Sequence, residues 1–167
     1  MKQNRSKTAL FAFFLLANLA VGIVDTRAQA EAPARRVVFV CDHGSVKSLM
    51  ASLFFDRMAA DRGLPYRSVS RGVSPDPVVP PKIAAALHAE GFDVANYKPV
   101  PLGKLDLDGA SRVVSIGVDA ANAGVLMHDR PVDSWTDVPA ASVDFAASKA
   151  ALVRHIEALL DELAGVN

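Results

Sequence analysis

The 167-residue sequence predicts an α/β domain, a three-layer doubly wound parallel sheet of about four strands. Three observations predict it. Short β-branched and aromatic runs at 37–40, 66–70 and 112–116 have the length and composition of buried strands. Stretches with helical apolar spacing separate them, and strands alternating with helices form parallel sheets with right-handed crossovers. Each predicted strand stops at a polar or glycine-bearing turn, at Cys41, Arg71-Gly72 and Gly117. Those turns are the carboxyl ends of strands, where open α/β sheets bind ligands.

The elements follow in order. Lys2, Arg5 and Lys7 precede an apolar run over 9–24 and then Ala28-Gln29-Ala30, the pattern of a secretory signal peptide cleaved after Ala30. The run is interrupted by Asn18 and Gly22 and is short for a membrane span. Residues 1–30 are therefore expected to be a signal peptide and 31–167 a single exported domain, periplasmic or secreted, without membrane attachment after cleavage. Lys2, Arg5, Lys7, Arg27 and the acidic Asp25 fall inside the leader, which leaves 14 basic and 17 acidic residues, a net charge of −3. The basic residues are scattered among acidic ones, which excludes a nucleic-acid surface and favours a small or phosphorylated partner.

After the first strand, Val46, Leu49, Met50, Leu53 and Phe54 mark one apolar helical face that ends near Arg62-Gly63. The second strand, 66–70, leads into a proline-stiffened turn at 75–81 and a helix over 82–90 closed by Gly91. The stretch 92–107 reads as a short helix or loop between prolines. A third strand covers 112–116, a helical turn is expected at 120–124, and 132–135 reads as a short last strand. Leu152, Ile156, Leu159, Leu160 and Leu163 place an apolar stripe on a closing helix over 143–163.

The chemistry concentrates where the first strand meets the first helix. Cys41 is the only cysteine, so no internal disulfide supports the fold. It heads the polar loop Asp42-His43-Gly44-Ser45-Val46-Lys47-Ser48, which opens onto a helix N-terminus. Unpaired amide N–H groups and the helix dipole favour an anion there, and favour a thiolate over a thiol. His88, His128 and His155 are far apart in sequence and lack metal-ligand spacing, so neither a metal nor a cofactor is expected.

The run Val38-Phe39-Val40-Cys41, with His43, Ser45, Lys47-Ser48 and Met50-Ala51 behind it, resembles the phosphate loop of low molecular weight protein tyrosine phosphatases and of the thioredoxin-coupled arsenate reductases that share their fold. The resemblance extends to Ser70-Arg71-Gly72, the proline-rich entry and residues 87–91 of the next helix, 113–116, and Trp135-Thr136-Asp137-Val138-Pro139. It implies that Cys41 attacks phosphorus, that Ser48 hydrogen-bonds the sulfur, and that 42–47 wrap the phosphate. Ser48 is equally placed to cap the helix start. Gly44 stands where the family often has Asn, a position suited to positive φ. Asp137 is implied as the acid that protonates the leaving oxygen, with Asp133 and Asp129 as lesser candidates. Here Val138 separates Asp137 from Pro139, whereas the family's acid directly precedes proline.

Lys47 is the main departure, since the family grips phosphate with an arginine fork that lysine lacks. Arg71 is a candidate auxiliary guanidinium. His43 is placed either to tune the thiolate or to line the rim. The expected function is phosphomonoester hydrolysis, with phosphotyrosine as one substrate, through a cysteinyl-phosphate. The partner is a phosphorylated small molecule, a phosphoprotein or an inorganic oxyanion. The alternatives are a phosphate- or arsenate-binding module with weakened catalysis and an arsenate reductase resolved by an external thiol. Thioredoxin-coupled arsenate reduction needs two further cysteines that this chain lacks.

Overall fold

The computed structural model describes residues 34–118 and 131–165. The expected signal peptide at 1–30, the helical turn at 120–124, His128 and Asp129 lie outside the described residues. The described elements run β1 (Arg35–Cys41), α1 (Lys47–Asp61), β2 (Tyr66–Gly72), α2 (Pro81–Ala89), α3 (Lys104–Leu107), β3 (Ala110–Ile116), β4 (Asp133–Trp135) and α4 (Phe145–Ala164). Residues 92–107 resolve into a loop and the single-turn α3.

All strand pairs are parallel, in the order β2-β1-β3-β4. From β1 the chain steps one way to β2, then back across β1 to β3 and on to β4. Right-handed crossovers running in opposite directions lie on opposite faces of a sheet, so this order is doubly wound. The switch point falls between β1 and β3, at the carboxyl end of β1 where Cys41 sits.

β1 is central and dry, with Val37, Val38, Phe39 and Val40 fully buried. The Phe39 ring meets Phe55 of α1 edge-on at 5.5 Å and Trp135 of β4 at 5.6 Å, tying three elements together. Each such side chain contributes about 1.5–3 kcal/mol by leaving water. α1 packs on β1, β2 and α4, so its buried arc is wider than a single stripe and takes in Ala51, Phe55 and Ala59 as well as Leu49, Met50 and Phe54. α4 seats Leu152, Ile156, Leu159, Leu160 and Leu163 in the same core. Its start is capped by Asp144, whose side chain accepts from the N–H of Ala147 at 2.9 Å. Among the described residues no helix is long and apolar enough to cross a membrane.

Candidate active site

The loop from Cys41 to Lys47 is shaped from outside. Val73 N–H donates to the Cys41 carbonyl at 3.0 Å, Ser74 N–H to Asp42 at 2.8 Å and Asp76 N–H to His43 at 3.0 Å. The Gly44 carbonyl accepts from Tyr97 Oη at 3.1 Å, with Ser70 Oγ 3.3 Å away. Four consecutive carbonyls are thus drawn outward. Every described peptide bond is trans, and a trans peptide points its N–H opposite its C=O, so the amides of 42–45 turn the other way, into the loop. Gly44 N–H donates to Cys41 Sγ at 3.3 Å.

Gly44 makes the tight curl possible with φ of +65°, as its substitution for Asn requires. A second glycine completes the contact. A Cβ on Gly72 would stand 2.8 Å from Gly44 N and from the His43 carbonyl carbon, and one on Gly44 would stand 2.9 Å from Gly72 N. The end of β2 therefore presses directly on the loop backbone.

Cys41 Sγ lies 3.0 Å from Ser48 Oγ, and Ser70 Oγ donates to Ser48 Oγ at 2.9 Å. Ser48 and Ser70 are buried, and Cys41 is 5% exposed. This hydroxyl chain fixes Ser48 as a partner of the sulfur. Ser48 does not cap α1, whose N-cap is Val46 without a side-chain bond.

A cavity of about 170 Å³ opens above the sulfur. Cys41, Asp42, His43, Val46 and Lys47 line it on the loop side, and Ile116 with Ala140, Ala141 and Ser142 on the other. Lys47 Nζ reaches the carboxyl end of β3, where a Cβ on Gly117 would meet it at 3.0 Å. No carboxylate among the described residues pairs with it, which leaves a cation free for an oxyanion. Ser45 is buried beneath the loop, and its hydroxyl donates to Asp76. His43 Nδ1 lies 3.5 Å from the other oxygen of the same carboxylate.

Two expected participants are not brought to this cavity. Asp137 Oδ1 lies 2.6 Å from His155 Nε2 and its other oxygen 3.7 Å from Arg154. The His155 ring is itself stacked on Trp135 at 4.7 Å, which turns this carboxylate toward α4. The His155 hydrogen bond holds the Asp137 carboxyl below the usual carboxylate range, the opposite of what a proton donor needs. Val138, the residue preceding Pro139, is buried and apolar. Arg71 is committed elsewhere too: its guanidinium lies 2.6 Å from Asp106 of α3 and donates to the Ser70 carbonyl at 2.8 Å. Asp133, on β4, lies 3.7 Å from Arg112.

The sequence reading missed Tyr97, Asp76 and Asp106. Tyr97 lies in the proline-flanked stretch that periodicity does not resolve, although it is the one phenol there. Burial, with the nearby Cys41 charge adding to it, pushes its phenol up against the lowering influence of Ser70 and Arg71, so it stays a hydrogen-bond donor. Among the described residues no cluster of three His, Cys, Asp or Glu side chains could hold a metal ion.

A cysteine at the floor of an inward-facing amide loop, at the switch point of a four-stranded parallel sheet, is the arrangement that the phosphate-loop resemblance leads one to expect. The family model for low molecular weight phosphotyrosine protein phosphatase matches residues 36–132, and the chain belongs to that family. No curated protein matches it. Among solved structures, YfkJ from Bacillus subtilis is 20% identical with a TM-score of 0.67, covering 80% of this chain and 97% of its own. The low molecular weight protein tyrosine phosphatase from T. tengcongensis is 22% identical with a TM-score of 0.65, over 77% of this chain and 99% of its own. A thioredoxin-dependent arsenate reductase from Corynebacterium glutamicum is 19% identical with a TM-score of 0.65, over 81% of this chain and 65% of its own. These likenesses confirm the fold.

Proposed function

We propose that this chain is a cysteine-dependent hydrolase of phosphomonoesters, acting on a phosphorylated small molecule or phosphoprotein. The observation that carries the reading is the sulfur itself: Cys41 Sγ meets the Gly44 N–H at 3.3 Å and Ser48 Oγ at 3.0 Å at the floor of a cavity bordered by a lysine. Phosphate oxygens would occupy the ring of amides from Asp42 to Lys47, as they do at helix N-termini generally. The thiolate would attack phosphorus and form a cysteinyl-phosphate, which water then hydrolyses. Lys47 would supply the positive charge that the equatorial oxygens need. Asp137, bound to His155 outside the cavity, is not assigned the acid role in this reading.

The lysine sets the expected strength. It offers a point charge without a planar fork, and one charge-assisted hydrogen bond lost in the transition state costs about 1.5–3 kcal/mol, roughly a 10- to 150-fold lower rate. That same residue favours the second reading, an oxyanion-capture module with little turnover. Hydrolysis of p-nitrophenyl phosphate by the mature domain decides between them. The enzyme reading expects turnover that Cys41→Ser abolishes and Lys47→Arg raises. Phosphate binding without turnover in both wild type and K47R selects the binding module. An exported, signal-cleaved domain remains part of the proposal, and N-terminal sequencing of secreted material checks the cleavage after Ala30.

A further inference from the structure

Hydrolysis by the route above leaves one chemical duty unassigned. The leaving oxygen must take a proton as the P–O bond breaks, and water must lose one as the cysteinyl-phosphate is resolved. The position before Pro139 holds the buried Val138, and Asp137 is tied to His155 and Arg154. Among the described residues lining the cavity, the side chains able to exchange a proton are Cys41, Asp42, His43 and Lys47. The sulfur is the nucleophile and the ammonium is the anion's counter-charge. The choice lies between Asp42 and His43.

The surroundings separate the two. Asp42 is exposed, and its carboxylate makes no hydrogen bond or ion pair among the described residues. His43 has a built support. Asp76 N–H donates to the His43 carbonyl at 3.0 Å, and one Asp76 carboxylate oxygen accepts from the buried Ser45 hydroxyl while the other lies 3.5 Å from His43 Nδ1. A carboxylate 3.5 Å from Nδ1 favours the ring orientation that leaves Nε2, on the far side, to carry the mobile proton. The side chain is 63% exposed, so it can recharge from solvent between steps.

On the phosphatase reading, we propose that His43 is the acid and base of the reaction, with Asp76 as its positioning residue. The chemistry balances. The Cys41 thiolate attacks phosphorus, the P–O bond to the leaving group breaks, and the departing oxygen takes the Nε2 proton of the His43 imidazolium, giving alcohol, cysteinyl-phosphate and neutral imidazole. Nε2 then accepts a proton from the water that attacks phosphorus, the S–P bond breaks with its electron pair returning to sulfur, and inorganic phosphate leaves. Thiolate and imidazolium are both regenerated.

The dependence of rate on the leaving group tests this, because a nitrophenolate departs unaided while a phenolate needs the proton. Values of kcat/KM, which report the steps through P–O cleavage, are measured with p-nitrophenyl phosphate and phenyl phosphate for wild type, His43→Gln, Asp76→Asn, Asp42→Asn and Asp137→Asn. General acids typically contribute 10²- to 10⁴-fold. H43Q is expected to lose about 10²-fold or more on phenyl phosphate and less than about 10-fold on p-nitrophenyl phosphate, with D76N shifting the ratio partway. An unchanged ratio in H43Q, or the large phenyl-specific loss appearing instead in D42N or D137N, overturns the assignment. Absence of Cys41-dependent turnover in wild type is a different result, which removes the phosphatase reading itself.

Discussion

The Lys47 ammonium is seated over the α-carbon of Gly117, so close that a methyl group at that carbon would lie 3.0 Å from Nζ. Gly117 holds φ of +66°, and its N–H donates to the Trp135 carbonyl at 3.0 Å, which ties this backbone to β4. Gly117→Ala would combine the strain of a left-handed residue, about 1–2 kcal/mol, with displacement of the cation. Phosphate affinity, read by calorimetry, is expected to fall about tenfold in G117A, near 1.4 kcal/mol. In a Lys47→Ala background the same glycine substitution should cost almost nothing further in affinity. An equal loss with and without the lysine would show that Gly117 does not position the charge.

The hydroxyl chain from Ser70 through Ser48 to Cys41 predicts a graded effect on the thiol. A hydrogen bond to a charged group is worth about 1.5–3 kcal/mol. Ser48→Ala should therefore slow alkylation of Cys41 by iodoacetamide at neutral pH by roughly 10-fold or more, with the melting temperature little changed. Ser70→Ala should act in the same direction and more weakly, since it reaches the sulfur only through Ser48. Alkylation of S48A at the wild-type rate would show that the Ser48 hydroxyl does not activate the sulfur.

How far the sequence reaches is visible in these same residues. The strands were legible because β1 and β3 are buried on both faces and must be continuously apolar, and the first helix because its apolar spacing repeats. The loop that carries Cys41, Ser48 and Lys47 was legible because it lies within one strand-loop-helix unit. Tyr97 and Asp76 were not, because each acts through a backbone or side-chain contact across many positions of chain, and no short-range pattern encodes such a contact. The surroundings of Asp137 were hidden for a related reason. Its motif context suggested an acid, whereas its partner His155 lies 18 residues onward in α4 and only the fold brings them together.

The two glycines where β2 abuts the loop form a contact that neither can leave. Gly72 lies outside the left-handed region of φ, so Gly72→Ala carries no backbone strain of its own, yet its Cβ would sit 2.8 Å from backbone atoms of His43 and Gly44. Overpacking of this kind costs about 1–3 kcal/mol when the surroundings can shift, and backbone shifts least. G72A is expected to remain folded by circular dichroism, to lose about 1–3 kcal/mol in urea, and to lose most of its phosphate affinity as the loop is pushed open. Gly44→Asn, which restores the residue common in the family, should fail here in the same way because its Cβ meets Gly72 N at 2.9 Å. Full phosphate binding by either variant would show that the loop tolerates a wider spacing from β2.

Arg71 and Asp106 make the most consequential ion pair near the site, at 2.6 Å with side chains 19% and 14% exposed. Burial alone pushes the Asp106 carboxyl up, but the Arg71 hydrogen bond, the Gly103 N–H at 2.9 Å and the charges of Arg71 and Arg36 together outweigh it and leave the group below its ordinary value. A carboxyl depressed in the folded state contributes stability that is fully present above its unfolded value of about 3.9 and is lost as pH falls through the lower folded value. Asp106→Asn removes that contribution and leaves the guanidinium, whose Nε lacks a partner among the described residues, without its counter-charge. The expected loss is about 1–3 kcal/mol at pH 7. Urea unfolding of wild type and D106N should therefore diverge at neutral pH and converge only as pH falls through the lowered folded value of Asp106, below which both side chains are neutral. A gap that persists undiminished in acid would assign the cost to lost packing of α3 against β3, and the charge on Asp106 would have no part in it.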